Sequence, residues 1–117
     1  MSEIDLVKAV GYAALEKKAG RLIVQDLRGR SDVCDYQVVC SANNERQTQA
    51  ICNSIESVVK KQFKRRPTTI EGKQTGHWIL IDYDSVIVHV FLDELRDYYA
   101  LESLWPDVEP MTIKAKA

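Results

Sequence analysis

The pair Asp82-x-Asp84 is the first candidate for chemistry in this chain. Carboxylates two apart on a strand share one face, as two acids holding divalent metal for nucleotidyl transfer must. Such a site also needs a Gly-Ser phosphate-binding turn upstream and a third acid, and the chain has no Gly-Ser pair. Asp84 falls where a hairpin turn is expected, and Asp readily adopts the left-handed backbone of such turns. Asp32 and Asp35 precede a strand and read as turn formers on the same ground. Cys34, Cys40, His77 and His89 carry zinc-capable atoms, but no Cys-x-x-Cys or His-x-x-x-His spacing is present. A Cys–His nucleophile pair has no support in the spacing, and His89, within Val88-His-Val-Phe91, reads as a hydrogen-bonded interior or edge histidine. No Gly-rich phosphate loop follows a strand, so no cofactor is expected.

The elements that would carry these residues are legible from periodicity. Ser2 with Asp5 can cap a helix whose Ile4, Val7, Val10, Gly11, Ala14 and Leu15 share one face, with Gly20 as its stop. Residues 21–27 and 36–41 read as strands. Asn43 or Asn44 caps a second helix with a stripe of Ile51, Ile55, Val58, Val59 and Phe63, ended by Pro67. A short strand over 68–71 follows, then a hairpin of 78–83 and 86–92 turning at Asp84-Ser85. Asp93 caps a last helix through Leu101, and Pro106 bars its continuation. The order α-β-β-α-β-β-β-α predicts an α/β (α+β) domain: one mixed sheet of about five strands flanked by helices. The strand 86–92, apolar at nearly every position, should be central.

The 117 residues suit a single domain, 1–117, with 110–117 expected to be a flexible tail. Apolar content of 45% and charged content of 28% are ordinary for a globular protein. No apolar run is long enough to span a bilayer, and Met1-Ser-Glu-Ile-Asp shows no secretory pattern. Three irregularly spaced cysteines read as reduced, buried thiols, so a cytoplasmic location and no membrane partner are expected.

The net charge of −1 hides a segregation. Lys60, Lys61, Lys64, Arg65, Arg66 and Lys73 face only Glu71 within their stretch, whereas residues 82–109 hold eight acids against Arg96 alone. The basic run can touch RNA phosphates or complement the negative end of the second helix. The acidic stretch also holds Trp78, Tyr83, Tyr98, Tyr99 and Trp105 at or near its borders. Leu95, both tyrosines, Leu101 and Glu102 cannot all face inward on one helix, so some aromatic surface should stay outside, suited to a basic protein partner.

Trp78-Ile-Leu-Ile-Asp-Tyr83, Val88-His-Val-Phe91 and Arg96-Asp-Tyr-Tyr-Ala-Leu-Glu-Ser-Leu-Trp105 resemble the signature of the ribosomal silencing factor family (RsfS, or Iojap). The first amphipathic helix, Asp32-x-x-Asp35-Tyr36, Arg46-Gln47 and Glu71-Gly72 agree in order and spacing, so the resemblance covers about Leu6 to Asp107. It implies a fold related to nucleotidyl transferases without their catalytic site, and a translational repressor that catalyses no reaction. The family binds ribosomal protein number fourteen on the large subunit and sterically blocks joining of the small subunit. Carried over by position, Trp78, Asp82, Tyr83, His89, Arg96, Tyr98, Tyr99, Glu102 and Trp105 would supply partner-binding residues. A minor contact with ribosomal RNA and a homodimer through the same surface are compatible with this reading. The alternative is a divergent metal-dependent nucleotidyl transferase using Asp82, Asp84 and Asp35. Three positions depart from the family pattern: Asp84 stands where Gly is usual, Ser41-Ala-Asn-Asn44 replaces a Ser-Gly turn, and Cys34 replaces a common Thr.

Overall fold

A computed structural model describes residues 2–104, 108, 110, 111 and 113, and for Leu101 and Glu102 the backbone only. The elements run α1 (Glu3–Glu16), β1 (Gly20–Asp26), β2 (Tyr36–Ala42), α2 (Glu45–Phe63), β3 (Thr69–Glu71), β4 (Trp78–Asp82), β5 (Val86–Leu92) and α3 (Asp93–Tyr99), with a 3-10 turn at Leu101–Leu104. The five strands form one mixed sheet in the order β1-β2-β5-β4-β3. Apolar β5 lies at its centre, parallel to β2 and antiparallel to β4, as its composition predicts.

Strand alternation divides the side chains into two sets. Leu22, Val24, Val38, Cys40, Ile79, Ile81, Val86, Val88 and Val90 face a common core with Leu6, Val7, Val10 and Ala14 of α1 and Ile51, Ile55 and Val59 of α2. Among the described helices, the opposite set, which includes Gln25, Gln37, Trp78, Leu80, Ile87, His89 and Phe91, receives α3, at one end. Val58 and Phe63 of α2 are half-buried at the core's margin.

Local rules explain most ends, with four departures. Ser2 caps α1, and its backbone N–H donates to the Asp5 carboxylate at 3.2 Å. Yet α1 ends at Glu16, and Lys18 (φ 63°) makes the reversal, so Gly20 opens β1 instead of stopping the helix. Asn44 caps α2, accepting the Gln47 N–H at 2.9 Å, while the Gln47 side chain donates to the Lys17 and Lys18 carbonyls. Helix α2 ends at Phe63, before Pro67, because Lys64 turns left-handed (φ 58°) and donates its N–H to the Lys60 carbonyl. Leu92, not Asp93, is the cap of α3, and Ala100 (φ 46°) ends that helix before Leu101. A lysine or alanine at a left-handed cap carries no compositional mark, which is why sequence places these ends too far along.

Two described residues near the C-terminal end, Met111 and Ile113, contact the body of the domain. Met111 exchanges backbone hydrogen bonds with Val24 on the outer edge of β1, at 2.8 and 2.7 Å. Ile113 packs into the notch left by Gly11, where an added Cβ would lie 2.5 Å from its Cδ1. That close approach accounts for a glycine inside α1.

The turn at Asp84 takes the left-handed form (φ 68°). Its N–H donates to Asp82 Oδ1 at 2.7 Å, and its own carboxylate accepts the Thr68 hydroxyl at 3.1 Å. Arg65 reaches the same corner, pairing with Glu3 at 3.1 Å and donating to the Tyr83 carbonyl, while Glu3 accepts the Ser85 hydroxyl. The Tyr83 ring is fully buried in the core, with its hydroxyl unpartnered among the described residues. Desolvation by burial raises that phenol's pKa well above its ordinary value, so it stays neutral. Tyr83→Phe removes the orphaned hydroxyl and should raise stability by about 1 kcal/mol, read as a higher urea midpoint at unchanged slope. A lower midpoint would mean that the hydroxyl has a partner in solution.

Candidate protein-docking surface

The open side of the sheet is built from β4 and β5 and closed at one end by α3. Trp78 pairs with Phe91 across the strands, and Leu80 with His89. The Trp78 ring stacks on Phe91 at 4.9 Å between centroids, and Tyr99 covers Trp78 at 4.7 Å. Tyr98 meets Tyr99 edge to face at 5.2 Å. Tyr99 is 46% exposed and Tyr98 80%, so the aromatic row ends in water. Beside it lies a shallow, mainly apolar concavity of about 280 Å³ lined by Val33, Cys34, Trp78, Leu80, Ile87 and His89. Val33, at its rim, is 74% exposed. Polar groups on this face are satisfied internally: Gln37 donates to Gln25 at 2.9 Å, and the Trp78 indole N–H donates to His89 Nδ1 at 3.1 Å.

A buried arginine sets the position of α3. Arg96 is 2% exposed and donates to the Arg21 carbonyl. It also lies within 3.5 Å of the Ser41 hydroxyl. That carbonyl is accessible because β1 bulges between Gly20 and Ile23, with Arg21 left-handed (φ 50°). The Arg21 side chain returns to α3 and pairs with Asp97 at 2.8 Å, which holds the Asp97 carboxyl below its ordinary range. Withdrawing Arg96 from the surface removes the only cation of the acidic stretch, and Asp93, Glu94 and Asp97 remain around α3.

The nine residues of the expected binding set thus separate. Tyr98 and Tyr99 are exposed, and Trp78 and Asp82 half-buried on the open face. Tyr83 faces the helices in the core, His89 is buried beneath Trp78 at the floor of the concavity, and Arg96 is a buried clamp. The Glu102 side chain and Trp105 lie outside the described residues. Val33, Leu80 and Ile87 belong to the surface and were not singled out from sequence. Alternation from Trp78 and His89 would have placed Leu80 and Ile87 beside them.

None of the candidate reactive groups is poised. The Asp82 and Asp84 carboxylates are engaged in the turn, and no three of His, Cys, Asp and Glu gather as a metal site among the described residues. The three thiols are buried and free. Burial pushes Cys40 and Cys52 up to about 12, and burial with Asp35 and Asp82 nearby raises Cys34. Cys34 and His89 share the concavity, but the imidazole's accepting nitrogen is taken by Trp78. No helix among the described residues is long and apolar enough to cross a membrane.

The class defined by this geometry is a small mixed-sheet domain with two helices on one sheet face and an aromatic-rimmed, acidic-bordered opposite face. A family model described as ribosomal silencing factor during starvation matches residues 1–117, and the chain belongs to that family. It is similar to the ribosomal silencing factor RsfS of Halalkalibacterium halodurans, 34% identical over 117 residues and covering 97% of each chain. The protein of the same name from Bacillus subtilis is 34% identical over 110 residues, covering 92% of this chain and 90% of that one. A crystal structure of a Chromobacterium violaceum protein superposes with a TM-score of 0.87 at 27% identity, covering 100% of this chain and 96% of that one.

Two outcomes test this architecture. Burial lowers the His89 pKa from 6.5 to about 4. Its folded value is depressed, so the unfolded chain takes up the proton first, and the stability it contributes is complete above about pH 6.5 and lost as pH falls towards 4. Urea unfolding of the wild type and of His89→Phe should diverge across that window by on the order of 3 kcal/mol. A difference independent of pH would refute a buried neutral imidazole. Arg96→Ala leaves the Arg21 carbonyl without its charged donor and should cost about 2–3 kcal/mol, with altered near-UV dichroism as Tyr99 leaves Trp78. Unchanged stability would show that Arg96 is not a clamp.

Proposed function

We propose that this protein is a cytoplasmic translational repressor that binds the large ribosomal subunit and silences it by obstruction. Its docking partner is ribosomal protein number fourteen, and the obstructed event is joining of the small subunit. The observation that carries this reading is the row Trp78–Tyr99–Tyr98, emerging from the sheet beside an apolar concavity and bordered by acids. A few aromatic anchors in a desolvated centre dominate protein interfaces, and an acidic border speeds and orients encounter with a basic partner. The names of its relatives supply the ribosome as the setting. Occlusion needs no nucleophile, metal or cofactor; it needs a bound state that persists longer than the encounter it blocks.

Tyr98 is the cleanest probe because it is exposed and its loss opens no cavity. Tyr98→Ala should keep its unfolding midpoint and lose roughly ten- to a hundredfold in affinity for isolated ribosomal protein fourteen, read by calorimetry. In sucrose gradients the wild type should shift joined ribosomes to free subunits, and Tyr98→Ala should do so only at higher concentration. Normal co-sedimentation of folded Tyr98, Tyr99 and Val33 variants with large subunits would place the docking surface elsewhere. If Tyr98→Ala changed only self-association, the row would belong to a homodimer.

A further inference from the structure

The helical layer carries a second surface, on the side of the molecule away from the open sheet face. Lys60, Lys61, Lys64 and Arg66, with Ser57, line a concavity of about 550 Å³. All four cations are exposed, and none has a side-chain hydrogen bond or ion pair with another described residue. Neighbouring cations are used otherwise, since Arg65 pairs with Glu3 and Lys73 with Glu56 at 2.8 Å.

Complementing the negative end of α2 accounts for Lys60 and Lys61, which lie in its last turn. It does not account for Lys64 and Arg66, which lie beyond the helix. They reach the same concavity because left-handed Lys64 turns the chain. A non-glycine residue at that backbone costs free energy, and here it gathers like charges that repel one another. An anion seated among them would relieve that repulsion.

The lining has no aromatic side chain on which a base could stack and no apolar anchor of the kind a protein partner requires. Cations around an open groove suit a ligand recognised by the shape and charge of its backbone, as double-helical RNA is. With a net charge of −1 over the chain, attraction is confined to this patch and orients the molecule. We propose that the concavity at the end of α2 binds the phosphates of double-helical RNA without reading sequence. The site rests on charge and shape alone; only ribosomal RNA as its natural ligand rests on the ribosomal reading. An RNA contact there would leave the aromatic face free for a protein.

The test is fluorescence anisotropy with a labelled RNA hairpin of mixed sequence, titrated at several salt concentrations. Wild-type affinity should fall with a log–log salt slope of about −3 to −4 for four phosphate contacts. The triple variant Lys60→Gln/Lys61→Gln/Lys64→Gln should lose at least tenfold in affinity and most of that slope. The charge-matched control Lys8→Gln/Lys17→Gln/Lys18→Gln and the variant Tyr98→Ala should bind RNA like the wild type. Equal losses in both triple variants, or none in either, would overturn the site. So would displacement of the hairpin by polyglutamate at equal charge, or tighter binding to phosphatidylserine vesicles, since those outcomes assign the patch to an acidic protein or a membrane. Because the probe is naked RNA, a failure to bind ribosomal protein fourteen would leave this result standing.

Discussion

Two long helices can cover only one face of a five-stranded sheet, and the rest of this molecule follows from that limit. The core lies between the sheet and the α1–α2 layer, where burial of aliphatic side chains supplies most of the driving force. The other face must remain stable half in water. It does so by pairing its polar groups laterally, Gln25 with Gln37 and Trp78 with His89, and by laying aromatic rings flat against each other. A face built this way is stable alone and still presents apolar area to a partner.

Helix α3 is too short to be held by its own backbone, so its placement is a tertiary matter. The Arg96 guanidinium, buried against the bulge of β1, fixes where the helix sits, and the Arg21–Asp97 pair fixes its outer side. The aromatic row is therefore only as well ordered as a bulge far away in sequence. Truncation of Arg96 would displace Tyr98 and Tyr99, although neither lies beside it in the core.

The residues that resemble a reaction centre are consumed by architecture. Asp82 and Asp84 shape the β4–β5 turn, the cysteines are held as neutral thiols, and His89 spends its lone pair on Trp78. Charge is arranged on the scale of whole faces: acids around α3, unpaired cations at the end of α2. Such a distribution gives the molecule a charge asymmetry that orients encounters with charged surfaces.

Much of this was written in local sequence. Periodicity marked every helix and strand, the unbroken apolar run 86–92 identified the central strand, and the Trp78–Trp105 motif pointed to the family. These signals are legible because they depend on near neighbours and on alternation that survives without knowledge of the fold. Residues that turn left-handed without glycine, Lys18, Lys64 and Ala100, moved the helix ends, because their cost is met by contacts elsewhere. The roles of Tyr83, His89 and Arg96 were likewise decided in three dimensions. Sequence gives a residue's chemistry and often its face, but whether that face meets a helix, a carbonyl or water depends on which distant segment packs against it. An arginine in an acidic stretch reads as a surface contact until a bulge some 75 residues earlier in the chain offers it a buried carbonyl.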